Sequence, residues 1–353
     1  MSYSGYVQIQ EHVPLAPLTT LHIGGPARFF CRVETEAELL EGVAFARDRN
    51  LPLFILGGGS NLVISDEGFP GLVLHLVLTA PTRVTQDESG FLFDVAAGTN
   101  WDDFVQEACA AGLSGVECLA GIPGLTGGTP VQNVGAYGQE VSQTIVQVSA
   151  LDLHTMALLQ LSHEQCGFSY RRSIFNSAEA GRYVVTAVRF RLRTEARPNI
   201  SYADLKQHFA GCDPSVLDVA HAVREIRRAK GMLLVDGDPD CRSAGSFFKN
   251  PVVPLAWLES VAATLNLRPE QIPNWPTGRG TTKLPAAWIL ERAGFHKGFV
   301  LGAAGISSRH TLALINRGEA TCKDLLRLRD TIVAEVKRRF DVSLEQEPVY
   351  LGS

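Results

Sequence analysis

The chain has 353 residues, 45% of them hydrophobic and 20% charged, with a formal net charge of −5. That length admits two or three domains with substantial cores, and the mildly acidic balance argues against a general nucleic-acid binder. No apolar run approaches the roughly 18 residues of a membrane span, and "MSYSGYVQIQEHVPLAP" lacks the basic-then-apolar layout of a secretory signal, so a cytoplasmic protein without a membrane partner is expected.

In chain order, "ARFFCRV" reads as a strand. "TEAELLEGVAFARDRN" then carries Thr35 and Glu38 at capping-box spacing before an apolar stripe at Leu39, Val43 and Ala46, which predicts a helix. "LPLFIL" and "GLVLHLVL" read as strands, and "TAPTRVTQDESG" as a first domain break near residue 80. After the strand "FLFDVAA", "NWDDFVQEACAAG" runs as a helix from an Asn100 cap to Gly112, followed by the strands "IVQVSALDL" and "YVVTAVRFRL". "DPSVLDVAHAVREIRRAKG" predicts a helix with Asp213 as cap, Pro214 in the first turn, and Arg227, Arg228 and Lys230 at its basic end. A second break falls at "GMLLVDGDPDCRS", between residues 231 and 243. Beyond it the chain is mostly helical with short strands. It includes the amphipathic "TCKDLLRLRDTIVAEVKRRF", with Thr321 and Asp324 at its start, and ends on "DVSLEQEPVYLG". Strands and helices mix without a regular βαβ rhythm, which predicts an α+β fold. Seven cysteines lie scattered with no CxxC pair, so neither a disulfide framework nor a metal site is expected, and Cys118 and Cys241 read as packed thiols.

Two glycine loops suggest a ligand. "LPLFILGGGSNLVIS" sets three glycines, Gly57, Gly58 and Gly59, before Ser60 and Asn61. It matches neither a dinucleotide fingerprint nor a P-loop, so alone it is a tight turn or a phosphate cradle. "LAGIPGLTGGTPVQNVGAYGQEV" adds Gly121, Gly124, Gly127, Gly128, Gly135 and Gly138, alternating with aliphatics and stiffened by Pro123 and Pro130. That composition predicts a packed loop with backbone exposed to a ligand rather than a flexible linker. Two such loops suit two phosphates.

The series "TTLHIGGPARFF", "LGGGSNLVIS", "GIPGLTGGTPVQNVGAYGQE", "YRRSIF", "AGSFFKNP" and "LEQEPV" resembles, in order and over nearly the full chain, the UDP-N-acetylenolpyruvoylglucosamine reductase (MurB) family. The resemblance implies a vanillyl-alcohol-oxidase-like (PCMH-type) FAD-binding fold of two subdomains plus a C-terminal α+β substrate domain. The corresponding boundaries are 1–80, 81–230 with the closing strand 343–353, and 231–342. It further implies non-covalent FAD, NADPH as co-substrate, a UDP-sugar as substrate, and a monomer serving peptidoglycan precursor synthesis. Gly57, Gly58, Gly59, Ser60, Asn61, Gly121, Ile122, Pro123, Gly124, Gly128, Asn133, Gly135 and Arg227 are then expected around the cofactor.

By the same resemblance, Ser246 in "SAGSFFKNP" is the proton donor to the enolate left by hydride addition, although on its own such a serine is more often part of a core turn. Arg171 matches the family arginine that faces the substrate carboxylate, which a guanidinium can grip through two parallel bonds. Arg172 stands where an aspartate is common. Glu347 matches the catalytic glutamate; Glu345 shares its side of an alternating strand, a pattern that is usually a solvated edge and otherwise an acid–base pair. Tyr202, Lys230 and Asn250 are expected on the substrate. A rival of the same fold is another FAD-dependent oxidase or dehydrogenase, in which His22 or His75 could carry the flavin covalently.

Overall fold

The computed structural model describes residues 7–194, 197–278 and 280–352. The chain divides into two units, each closed on its own core. One comprises residues up to Val13 with Ala27–Gly59 and Phe69–Ala229; the other comprises Pro14–Pro26, Ser60–Gly68 and everything from Lys230 on.

Among the described residues, the first unit holds two main sheets and a short ribbon of Gly135–Ala136 with Gln139–Glu140. In the smaller, Phe69–Leu76 pairs in parallel with both Pro26–Val33 and Leu53–Leu56. Parallel strands need crossovers, and the helix Glu36–Asp48, capped reciprocally by Thr35 and Glu38, joins the two strands that flank Phe69–Leu76. Its stripe Leu39, Val43 and Ala46 is buried with Leu72, Leu74 and Leu76. The larger sheet is antiparallel, in the order Ala157–Ser162, Ile145–Asp152, Tyr183–Leu192, Gly90–Ala96, Arg83–Asp87. Helices Trp101–Ala110 and Val216–Ala229 contribute to its core, where the rings of Trp101 and Phe104 lie 5.7 and 5.3 Å from that of Phe190.

The second unit combines two three-stranded sheets with helices Ala256–Leu265, Ala286–Arg292 and Cys322–Phe340. Thr321 and Asp324 cap the last of these as a box, and Asp66 adds bonds to the N–H groups of Cys322 and Lys323 at 2.7 and 3.1 Å. The helix thus has its first amides satisfied from two directions.

Three local expectations need correction. The stretch read as a break near residue 80 contains the edge strand Arg83–Asp87, all exposed, which pairs with Gly90–Ala96. Polar edge strands look like loops in sequence because neither face is buried. The helix expected from Asp213 begins at Val216, because Ser215 accepts the Asp218 N–H while the Asp218 carboxylate accepts the Ser215 N–H, closing the box there. Finally, the tail placed with the second subdomain forms the strand Val349–Leu351, paired in parallel with Leu62–Ile64. Alternation marks a strand without saying which partner it takes.

Candidate active site

Within the first unit the two glycine loops meet backbone to backbone. A Cβ on Gly58 would lie 2.6 Å from Gly124 Cα, so a side chain there cannot coexist with this approach. Gly57 and Gly128, by contrast, face open space: a methyl group at either would have nothing within 4 Å. In the second loop Thr126 is fully buried with its Oγ1 lacking any protein partner, where nearly every buried polar atom should have one. Juxtaposed backbone, open space in front of it and an orphaned hydroxyl fit a ligand rich in acceptor oxygens, as the phosphates and ribityl chain of FAD are.

The loop is held from behind by Arg227, expected near the cofactor, and by Asp102 and Arg224, which the sequence did not single out. Asp102, in the first turn of the Asn100-capped helix, accepts the Gly121 N–H at 2.5 Å and pairs with Arg224. Arg227 is buried and donates through Nε to the Gly121 carbonyl at 2.9 Å; burial pushes its pKa down from the usual arginine range. Both backbone groups of Gly121 are therefore fixed from the helix Val216–Ala229 and its neighbour. The signal available was the spacing of Arg224 and Arg227 on one helix face. Nothing in the sequence named their partners. Ile122 and Pro123 follow half-buried on the rim of this loop.

Tyr202 sits at the N-terminus of the short helix Ala203–His208, 42% exposed, its ring edge-on to Tyr137 with centroids 5.3 Å apart. Asn199 fixes this segment to the glycine loop by donating to the Gly138 carbonyl at 3.0 Å. Arg171 donates through Nη2 to the Gly135 carbonyl at 2.7 Å, and its φ is +54°. A long side chain in left-handed backbone is uncommon and concentrates at functional positions. Arg172, the departure from the family pattern, closes the hairpin that presents Arg171 by exchanging backbone bonds with Ser169.

The "GGGSN" motif is divided. Its glycines belong to the first unit, whereas Ser60 and Asn61 belong to the second, where the Asn61 carbonyl accepts the Val349 N–H at 2.9 Å and its side-chain amide reaches the Glu347 carbonyl at 3.5 Å.

In the second unit, the segment holding Ser246 runs between two others. On one side Phe247 N–H donates to Leu312 O at 2.8 Å and Asn316 N–H to Arg242 O at 3.0 Å. On the other, Glu347 N–H donates to Phe247 O and Lys249 N–H to Glu345 O, each at 2.9 Å. Thr20 adds a hydroxyl bond of 2.6 Å to the Ser243 carbonyl. Phe247 and Phe248 are fully buried and packed edge to face at 5.4 Å, so these aromatics are core anchors beneath a half-buried serine. Ser246 is thus held in sequence next to the residue that bonds Glu347. Its neighbour Glu345 is engaged elsewhere: it pairs with Lys249 at 2.6 Å while 72% exposed. The alternation of Glu345 and Glu347 reflects an isolated bridge between Phe248 and Gln346, not a continuous strand.

Asn250 turns its Oδ1 to the Ala286 N–H at 2.9 Å, capping a helix and leaving its NH2 end as the group able to meet a ligand. Lys230 follows the helix Val216–Ala229 at the start of the second unit, half-buried. The loop between Lys230 and Ser246 is clamped by Asp240, which accepts from Ser308 N at 2.9 Å, Ser308 Oγ at 2.7 Å and Arg309 Nε at 2.9 Å. Burial pushes the Asp240 carboxyl up, but these bonds outweigh it and hold it below the usual carboxylate range. Cys118 and Cys241 are buried, and burial raises both thiols. Among the described residues no cluster of acidic, histidine or cysteine side chains could hold a metal, and no helix is long and apolar enough to cross a membrane.

Comparison with known proteins agrees with this arrangement. Residues 27–155 match the family model described as an FAD binding domain, and residues 238–351 match that for the C-terminal domain of UDP-N-acetylenolpyruvoylglucosamine reductase. Curated proteins named UDP-N-acetylenolpyruvoylglucosamine reductase are 46% identical in Thermobifida fusca, over 97% of this chain and 98% of theirs, and 46% in Streptomyces coelicolor, over 98% and 91%. The crystal structure of UDP-N-acetylenolpyruvylglucosamine reductase (MurB) from Thermus caldophilus superposes with a TM-score of 0.66 at 29% identity, over 98% of this chain and all of that one. With its glycine loops, serine segment and closing glutamate all lying inside regions shared with these relatives, the chain belongs to the UDP-N-acetylenolpyruvoylglucosamine reductase family.

Proposed function

We propose that this protein is an FAD-dependent oxidoreductase that uses NADPH to reduce the enolpyruvyl ether of UDP-N-acetylglucosamine enolpyruvate, giving UDP-N-acetylmuramate for peptidoglycan synthesis. FAD held by the two glycine loops would supply two-electron hydride chemistry linking NADPH to the enolpyruvyl methylene carbon. The neighbouring carbon then carries enolate character and must gain a proton. Ser246 provides it from its hydroxyl, an acid weak enough to need so basic an acceptor. Arg171 binds the substrate carboxylate, where its fixed guanidinium stabilises charge that spreads from the carbanion. Glu347 assists the proton delivery through its place beside the serine segment. Lys230 and Tyr202 address the UDP part, and Asn250 the sugar side, its Oδ1 end being anchored by the Ala286 N–H. The protein works as a cytoplasmic monomer on a nucleotide-sugar, with no nucleic-acid or membrane partner.

The observation that carries this assignment is the 2.9 Å bond from Glu347 N–H to the carbonyl of Phe247, which ties the candidate acid and its helper into one segment pair. Stopped-flow absorbance at the flavin bands separates the halves of the reaction. Ser246→Ala should leave flavin reduction by NADPH intact and slow reoxidation by the enolpyruvyl sugar on the order of 10²-fold. Equal damage to both halves would remove Ser246 from the proton step.

A further inference from the structure

Arg171 stands at the tip of a hairpin closed by Ser169 N–H to Arg172 O at 2.9 Å and Arg172 N–H to Ser169 O at 3.0 Å. Its left-handed φ of +54° is unfavourable for a long side chain, so the surroundings must hold it there. Two side-chain amides do so. Asn176 donates to the Arg171 carbonyl at 3.2 Å. The other is Asn133, which sits in the glycine loop and is only 1% exposed.

The amide of Asn133 is engaged at both ends. Nδ2 donates to Glu140 Oε2 at 2.9 Å and to Ser169 O at 3.0 Å, while Oδ1 accepts the Ser142 N–H at 3.1 Å. Two acceptors face one end and a donor faces the other, so the neighbours fix its orientation. Both amide hydrogens are taken, which leaves none to donate to a cofactor. Its own φ of +46° lies in the region asparagine tolerates better than most residues. The bond to Ser169 reaches the base of the hairpin, and the Arg171 bond to Gly135 returns to the same loop two residues beyond Asn133.

We propose that Asn133 is a positioning residue for Arg171: it couples the glycine loop to the hairpin and thereby sets where the guanidinium meets the substrate carboxylate. The inference rests on the role given to Arg171 above.

A double-mutant cycle on the flavin-loaded protein tests it, using Asn133→Asp, Arg171→Ala and the double variant. The aspartate keeps the shape and the backbone preference but turns an oxygen toward Glu140 and Ser169. The readouts are the Kd of the enolpyruvyl UDP-sugar, from its perturbation of the flavin spectrum, and the Kd of FAD. With Arg171 present, Asn133→Asp should weaken sugar binding about 10-fold; with Arg171→Ala in place, the further loss should be under about 2-fold. Equal losses in both backgrounds overturn the coupling, as does a loss of FAD affinity with sugar binding untouched. Should Asn133→Asp not fold, Asn133→Gly, which keeps the left-handed backbone, enters the same cycle. If Arg171→Ala alone leaves sugar binding and reoxidation unchanged, the role of Arg171 itself fails, and the inference with it.

Discussion

Replacing Gly58 by alanine puts a methyl group 2.6 Å from Gly124 Cα, 3.1 Å from Gly124 C and 3.2 Å from Leu125 N. All three are backbone atoms, so no side-chain rotation relieves the contact. Carbon–carbon contact is comfortable near about 3.6 Å, and the two loops must therefore part by about 1 Å. Overpacking of this kind costs about 1–3 kcal/mol, which corresponds to about 5- to 150-fold in an equilibrium constant. Where the cofactor binds across both loops, that cost appears in its Kd, measured by titrating apoprotein with FAD. Gly57→Ala is the informative partner, because nothing lies within 4 Å of its methyl and its φ is not positive. Apoprotein stability should then stay within about 0.5 kcal/mol of wild type. FAD affinity should nevertheless fall about tenfold or more, the methyl occupying space the ligand needs. Wild-type FAD binding by both variants would refute a cofactor seated on these loops.

Glu345→Gln should leave turnover close to wild type, since an exposed pair with Lys249 contributes about 0–1 kcal/mol; Glu347→Gln should slow flavin reoxidation by the sugar without slowing reduction by NADPH, and the reverse ranking would exchange their roles. Burial, with a smaller contribution from Arg32, holds the pKa of His75 below its ordinary 6.5. Protonation is then easier in the unfolded chain, so stability should decline as pH falls below about 6.5 toward the lowered folded value. Thermal melts between pH 8 and pH 5 should show this decline, and His75→Phe should flatten it. Asp240→Asn removes the charge and turns one of the two accepting oxygens into an NH2 donor, so the bonds from Ser308 N and from Ser308 Oγ and Arg309 Nε cannot all persist, and it should cost about 1–3 kcal/mol by denaturant titration. Because these bonds hold its carboxyl below the ordinary range, the contribution should be complete above the unfolded-state pKa and fade as pH falls through the folded value.

Local signals in the sequence located the helices well where the cap is reciprocal. Thr35 with Glu38, and Thr321 with Asp324, satisfy two amides each, and no competing start lies nearby. They misplaced the start at Asp213 because Asp213-Pro214 and Ser215-x-x-Asp218 are both plausible beginnings, and only the second closes a box. Strand existence was legible from runs such as "YVVTAVRFRL", whose burial alternates along much of its length. Pairing was not. The union of Val349–Leu351 with Leu62–Ile64 depends on which edge remains open once the rest has folded, which no local pattern encodes. The same limit explains the site residues that were overlooked. Asp102 and Tyr137 look like an ordinary first-turn acid and a loop aromatic until the fold brings Gly121 and Tyr202 to them.

The residues proposed for catalysis share a construction that accounts for this split legibility. Ser246, Glu347 and Arg171 all lie outside regular helices and sheets, on segments bonded to partners far away in the chain: backbone bonds to Leu312 and Glu347 for the serine segment, and for the arginine hairpin the Asn133 amide on the Ser169 carbonyl and the Arg171 guanidinium on the Gly135 carbonyl. An irregular segment can aim a side chain in a direction that helix or strand geometry forbids, including left-handed backbone at Arg171. It can hold that aim only if bonds from elsewhere replace the regular ladder it gives up. Two fully buried phenylalanines beside Ser246 and a buried asparagine behind Arg171, bonded at three points, meet that requirement in two different ways. Softening the Asn133 support should therefore loosen the geometry proposed for catalysis, whereas truncating either phenylalanine would also cost global stability, about 3–5 kcal/mol.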